Sequence, residues 1–280
     1  MDTGEHQAAA GSATQAQVSK SATAARIYDY FLGGVHNFPA DQEAARHVLA
    51  MLPDIPRVAR TNRAFLRRCV RYLVRAGVHQ FLDIGSGIPT EGNVHEIAES
   101  LTTEARVVYV DIDPVAVAES LEILDDNPRV TAVRGDLRQP EAIIDHPTVR
   151  RLLDLRQPVA LLLGSVLPFV PDDAEAYGAV SHLVAALGPG SHLAISHGAT
   201  ETFVPTGQRM TKASEVYRQR TTTPAKPRTR EQVARFFDGL DLVEPGIAWA
   251  PEWRPDPDDP SDFADDPARS GSWVGVGHKR

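Results

Sequence analysis

One cysteine, Cys69, occurs in 280 residues, so no intramolecular disulfide is possible and a reducing compartment suits the chain. Long apolar runs are also missing. The longest, from Val159 to Val170, is interrupted by Pro168 and falls short of the ~18 residues that a membrane-spanning helix needs. The amino terminus lacks the basic-then-apolar order of a secretion signal. Basic charge is not in excess: 29 Lys and Arg face 37 Asp and Glu, a net charge of −8. That balance lacks the field that draws nucleic acid or an anionic membrane. These absences give the expectation of a cytoplasmic protein that binds neither. Two motifs are absent as well. No GxxxxGK[ST] phosphate loop occurs, and His95-Glu96 opens like a HExxH zinc site but meets Glu99 where the second histidine belongs. No other histidines have metal-ligand spacing, and no metal is expected.

What is present is ordinary for a globular enzyme, at 42% hydrophobic and 24% charged residues, with length for one large domain and an appendage. Residues 1–20 are rich in Ala, Ser, Thr and Gln and read as a disordered tail. Residues 21–78 read as a helical cap. One helix runs over 22–32 and stops at Gly33-Gly34; a second starts near Asp41, as N-cap, and ends before Pro53; a third covers 57–75. The third has an apolar stripe with Cys69 inside it. It also carries Arg57, Arg60, Arg63, Arg67, Arg68, Arg71 and Arg75, which read as a solvated face. From 79 to 280 strands and helices alternate, with strands at 80–84, 107–110, 130–133, 159–163 and 192–196. This pattern predicts an α/β fold: a doubly wound parallel sheet with helices on both faces. Thr229 and Gln232 have capping-box form. Two last strands, near 242–249 and 272–277, suggest an antiparallel hairpin at a sheet edge. Between them, residues 251–271 are rich in Pro and Asp and read as a long surface loop.

The stretch Phe81-Leu82-Asp83-Ile84-Gly85-Ser86-Gly87 places two glycines directly after a strand, where backbone can approach a ligand closely. Asp83, Asp111 and Asp136 close the first three strands, and ligands of such sheets bind beyond the carboxyl ends of the strands. Three carboxylates on one rim call for a hydroxyl-rich or cationic ligand: a ribose at Asp111, an adenine amino group at Asp136, an ammonium at Asp83. A dinucleotide site is the competing reading. It needs a third glycine where Thr90 stands, and Asp83 would oppose a pyrophosphate.

These residues resemble the first three motifs of class I S-adenosylmethionine-dependent methyltransferases. With Arg26-Ile27-Tyr28-Asp29-Tyr30-Phe31-Leu32-Gly33-Gly34, Asn37-Phe38, Asn62-Arg63-Ala64-Phe65-Leu66, Gly92-Asn93-Val94-His95-Glu96, Ser196-His197 and Phe236-Phe237-Asp238-Gly239-Leu240, the chain is similar to one bacterial family of them. That family, once a domain of unknown function, consists of S-adenosyl methyltransferases of mostly unassigned acceptor. The resemblance implies a seven-stranded Rossmann-like sheet whose last strand is antiparallel, and S-adenosylmethionine as cofactor. It assigns Asp83, Gly85, Gly87, Asp111 and Asp136 to the cofactor; Ser86, Ile112, Leu137 and Ser165, beside them, are counted in the same site. After the fourth strand, where many methyltransferases carry a histidine, this chain reads Ser165-Val166-Leu167-Pro168-Phe169.

Methyl transfer needs alignment and exclusion of water, and a base only if the acceptor must lose a proton. His197, at the end of the fifth strand, is the candidate base; its plainer role is a hydrogen-bonded structural histidine. Tyr28, Tyr30 and Asn37 are candidate lid or substrate residues, and Arg63 a candidate partner of an anionic acceptor or of the cofactor carboxylate. Residues 200–228, with Thr221-Thr222-Thr223-Pro224, are a candidate part of the acceptor pocket. The expected partner is a small-molecule acceptor. The alternative is a non-catalytic protein that binds S-adenosylmethionine or S-adenosylhomocysteine.

Overall fold

Valine, leucine and isoleucine dominate five short segments, and these form the parallel strands of one sheet: β1 (Gln80–Ile84), β2 (Arg106–Asp111), β3 (Val130–Arg134), β4 (Ala160–Gly164) and β5 (His192–Gly198). The computed structural model describes residues 21–89, 92–124, 127–201, 225–260 and 262–280. The expected tail at 1–20, Thr90, and most of the 200–228 segment including residues 221–224 lie outside the described residues.

The strand expected at 242–249 is broken, because Pro245 has no N–H for a ladder and Gly246 turns at φ 82°. Two short strands remain, β6 (Asp241–Leu242) and β7 (Ala248–Trp249). Both pair antiparallel with β8 (Ser272–His278), which itself pairs antiparallel along the whole of β5. The sheet order is β3-β2-β1-β4-β5-β8-β6, with β7 also on β8: among the described residues these are the seven expected positions, the last split between β6 and β7. The antiparallel β8 lies between β5 and the short edge strands β6 and β7, so the last strands form an antiparallel sheet edge as expected. This is the mostly parallel, Rossmann-like arrangement, and its order reverses between β1 and β4.

Period-two alternation sends Leu82, Ile84, Val108, Val110, Leu161 and Ile195 to one face. There they meet α6 (Pro140–Ile144), α7 (Pro147–Leu152), α8 (Asp173–Ala186) and α9 (Arg230–Ala234), whose Thr229–Gln232 capping box forms as expected. Phe81, Val107, Tyr109, Leu162 and Ala194 take the other face. The long amphipathic α3 (Ile55–Arg75) and the short α4 (Val94–Glu99) cover it, burying Phe65, Cys69, Val70 and Leu73. Burial pushes the Cys69 thiol pKa up, which fits packing and not chemistry. A fifth crossover helix, α5 (Pro114–Ile123), follows β2. Ahead of α3, α1 (Ala24–Phe31) and α2 (Pro39–Met51) form a separate small core of Ile27, Phe31, Ala44, Ala45 and Val48 with Ala59. Asp41 is not the cap residue of α2; it is buried in the first turn and accepts from the Phe38 N–H at 2.8 Å. No helix among the described residues is long and apolar enough to cross a membrane.

Residues 251–271 form a surface loop as expected, but five of the seven arginines on α3 bind it and tie it down. Arg57 and Arg60 hold Asp262 at 2.9 and 3.2 Å, Arg67 and Arg68 hold Asp259, and Arg71 holds Asp256 at 2.8 Å. Arg68 also donates to the carbonyls of Trp253 and Ala250. Flanking these three acids, the segment inserts two aromatic rings that are fully buried, Trp253 and Phe263. Trp253 meets Phe65 and Tyr72 edge-on at 5.3 and 5.9 Å, and Phe263 lies under the guanidinium of Arg57. The pairs of Arg57, Arg60, Arg67 and Arg71 are partly exposed and contribute little singly, whereas Arg68 is buried with its partners and the two buried rings add apolar holding energy. Replacing Trp253 with Ala is expected to cost about 3–5 kcal/mol in denaturant unfolding. Trp253→Phe should cost much less, since the indole N–H has no hydrogen-bond partner. Equal losses in the two variants would contradict this account of the strap.

Candidate active site

The strand ends, the glycine turn and the two cap helices enclose a cavity of about 1130 Å³. Its floor is made by Gly85, Asp111, Gly135, Gly164 and Gly198, at or just beyond the carboxyl ends of β1 to β5. Its roof is made by Tyr28 of α1 and by Val58, Ala59, Asn62 and Arg63 of α3. Gly85 and Gly87 hold φ values of 74° and 64°, which L side chains avoid. A Cβ on Gly85 would come within 2.3 Å of Val166, so the first glycine is required by space as well as by conformation.

Asp83 lies two residues after Phe81 and shares its face, the one covered by α3. It is 5% exposed, and no hydrogen bond reaches its carboxylate among the described residues. Burial raises its pKa to about 7; Arg63 opposes that and Asp111 adds to it. Arg63 is half-buried, and its Nε is buried with no partner. A donor and an acceptor without protein partners therefore face one region of the cavity.

Asp111 accepts from the backbone N–H of Gly87 at 2.8 Å and of Asp113 at 2.9 Å, which ties the glycine turn to the end of β2. Burial pushes its pKa up, and those N–H groups counter the push. Asp113 caps α5 and is gripped from the cap. It accepts from Thr23 Oγ1 at 2.7 Å and from Arg26 Nη1 at 3.2 Å. Arg26 is fully buried and pairs through Nε with Asp41 at 2.9 Å. Arg26 opens one of the segments that carry the family resemblance, but the sequence alone assigns no role to it, to Thr23 or to Asp113. The signal was there: an arginine on the same stripe as Ile27 and Tyr30 in an amphipathic helix must find a buried acid.

The chain matches the family described as S-adenosyl methyltransferase over residues 10–280. The chain belongs to that family. Two similar proteins of known structure support the match. One, from Thermobifida fusca YX and described as a candidate methyltransferase, is 37% identical over 94% of this chain and 96% of that one, with a TM-score of 0.84. The other, a DUF574 family protein from Streptomyces avermitilis MA-4680, is 39% identical over 94% of this chain and 100% of that one, with a TM-score of 0.87. No curated protein is similar to the chain at a significant level.

The cofactor of this methyltransferase is S-adenosylmethionine, and the residues present fit it. The cofactor carries a ribose, an ammonium, a carboxylate and a sulfonium. The cavity offers a side-chain-free glycine turn, two buried acids at successive strand ends, and the unpartnered Nε of Arg63. Among the described residues no three His, Cys, Asp or Glu side chains gather as a metal site.

The residues named from sequence are distributed unequally. Gly85, Ser86, Gly87, Asp83, Asp111, Ile112, Asp136, Leu137, Ser165, Tyr28 and Arg63 all line the cavity. Ser165 sits at φ 55° and donates its N–H to the Ser196 carbonyl at 3.0 Å. Burial opposes ionisation of Asp136, but the Arg138 guanidinium, at 2.6 Å, outweighs it and holds the carboxyl pKa below its ordinary value. Tyr28 donates to the Ala59 carbonyl at 3.1 Å and accepts from Asn62 at 3.0 Å. Tyr30 and Asn37 do not line the cavity. Asn37 donates to Asp29 and to the Gly34 carbonyl, both at 2.8 Å, and accepts from Gln42; it fastens the Gly33-Gly34 turn.

His197 is a correction. Ala194, Ser196 and Gly198 line the cavity, so alternation turns His197 to the opposite face with Ile195. There it is fully buried and stacks on Phe236. Its Nδ1–H donates to the Gly198 carbonyl at 2.9 Å, and its Nε2 accepts from Arg228 at 3.0 Å. Burial drives its pKa down to about 3. A neutral ring with both nitrogens committed, on the far side of the strand, is no base for the cavity.

Asp83 has a consequence for stability. Its folded pKa, about 7, exceeds the ordinary 3.8, so the native state holds a proton that the unfolded chain releases. Its contribution to stability is full at low pH and is lost as pH rises from about 4 through about 7. Comparing unfolding midpoints of the methyltransferase and Asp83→Asn across that window should show the variant free of this decline. Parallel pH profiles would contradict the buried, protonated carboxyl.

Proposed function

We propose that this methyltransferase transfers the methyl group of S-adenosylmethionine to a small molecule held in the same cavity, beneath α1 and α3. The observation that carries this reading is volume. About 1130 Å³ exceeds the roughly 300–1,000 Å³ of pockets that hold a single drug-sized ligand, and one continuous wall joins the glycine turn to the cap. A cofactor seated on the floor leaves space under Val58, Ala59 and Leu66 for a second small molecule.

In this reading Asp83 receives the cofactor's ammonium and Arg63 its carboxylate. Asp111, already positioned by two backbone N–H groups, accepts from the ribose hydroxyls. Ile112, Asp136 and Leu137 border the adenine, while Gly85, Ser86, Gly87 and Ser165 form the floor beneath it. When bound, the cofactor supplies an activated methyl on a sulfonium centre, so the protein's work is alignment and exclusion of water. Tyr28, fixed at both ends of its hydroxyl, and Asn62 serve as roof. Residues 21–78 act as a cap on the catalytic domain of 79–280, in the cytoplasm, where a lone buried thiol is stable.

The test is a labelling experiment. The methyltransferase is incubated with methyl-labelled S-adenosylmethionine and a size-fractionated cell extract. Enzyme-dependent label is expected in the low-molecular-mass fraction. Label confined to protein or nucleic acid would contradict a small-molecule acceptor.

A further inference from the structure

The charged side chains around the cavity are nearly all spoken for. Asp54 is held by Arg269 at 2.9 Å and Arg57 at 3.2 Å. Asp113 is held by Arg26, Asp136 by Arg138, and Asp111 by backbone N–H groups. Among the described lining residues this leaves Arg63 and Asp83, opposite in sign and within each other's field. The zwitterionic end of the cofactor satisfies both in the reading above, and the rest of the described wall then holds no unpaired charge.

The described part of that remaining wall is mostly apolar, broken by Tyr28, Asn62, Ser196 and Ser272, with the Asn62 Oδ1 buried and unpartnered. Phe31, Leu52, Ile55, Val58, Leu66 and Phe169 line the cavity away from the glycine turn. Its ionic groups lie at the rim, where Asp54 pairs with both Arg57 and Arg269 and joins the start of α3 to the 251–271 loop. A charged acceptor entering this space would surrender its hydration with no counter-ion among the described lining residues to replace it, which is among the costliest transfers a protein can impose. An uncharged apolar molecule gains from the same transfer.

We propose that the acceptor of this methyltransferase is an uncharged, predominantly apolar small molecule, selected by the charge-paired, hydrocarbon-lined pouch between α1, α3 and the segment after β4. The inference rests on the proposed function and narrows its substrate class. Val58, half-buried on the pouch wall, is a specificity-determining position.

Three probes of one shape test it: 2-naphthol, 2-naphthoate and 2-naphthylmethylammonium, titrated calorimetrically into the full chain saturated with S-adenosylhomocysteine. 2-Naphthol should bind at least about tenfold more tightly than either charged probe. Val58→Asp should weaken 2-naphthol by about tenfold and favour the ammonium probe, and Val58→Lys should favour naphthoate, both with S-adenosylhomocysteine affinity unchanged. A charged probe that equals or exceeds 2-naphthol on the unaltered chain overturns the inference, without needing any variant. So does failure of 2-naphthol to bind a chain that has taken up S-adenosylhomocysteine, or a probe ranking that ignores the charge placed at 58. Failure to take up S-adenosylhomocysteine is a distinct result, and it would sink the proposed function together with this inference.

Discussion

The buried guanidinium of Arg26 is the contact on which the architecture turns. It lies between Asp41, on the cap, and Asp113, on the loop that follows β2. An arginine with no solvent exposure is tolerable only because two carboxylates, with Thr23 bridging beside them, surround it. Removing one member would strand a buried charge, so the cluster admits one arrangement of cap against sheet. Asp113 in turn fixes the main chain that presents its N–H to Asp111, and Asp111 fixes the Gly87 turn. A chain of hydrogen bonds thus runs from α1 and α2 to the floor of the cavity, and the roof cannot shift without disturbing the seat.

The cavity wall divides its chemistry by parity. On β1 the face that buries Phe81 also carries Asp83, and on β2 the face that buries Tyr109 also carries Asp111; α3 and α4 cover that face, and α3 adds Arg63. On β5 the same rule brings Ser196 to the cavity and turns His197 away. The result is a site with unpaired charge at the glycine turn and apolar walls elsewhere. Such a site suits a reaction in which the cofactor brings the activation and the protein aligns the partners.

How much of this was legible in the sequence depended on distance along the chain. The five parallel strands, the glycine turn and the three rim acids were readable, because continuous apolar runs and strand-end residues are local signals. So was the Thr229 capping box. The arginine stripe of α3 was misread, since its partners Asp256, Asp259 and Asp262 lie between 185 and 205 residues away, in a stretch without apolar periodicity. Two aromatic residues, Trp253 and Phe263, anchor that stretch, too few to show a period. Pro245-Gly246 is turn chemistry in plain view, and it splits what the apolar pattern alone joins into one strand. Asn37 and His197 were polar residues at suggestive positions whose partners, Asp29 and Arg228, only the fold supplies. For His197 the alternation of β5 alone would have given the right face.

Hydrogen exchange, measured on this methyltransferase and on Arg26→Met, each with and without S-adenosylhomocysteine, tests the coupling of roof to seat most directly. The account predicts that the ligand slows exchange in residues 24–31 together with the ends of β1 and β2, and that in the variant the protection of 24–31 disappears while α3 and the sheet remain protected. Protection of 24–31 that survives in Arg26→Met, or that never arises in the unaltered chain, would contradict it.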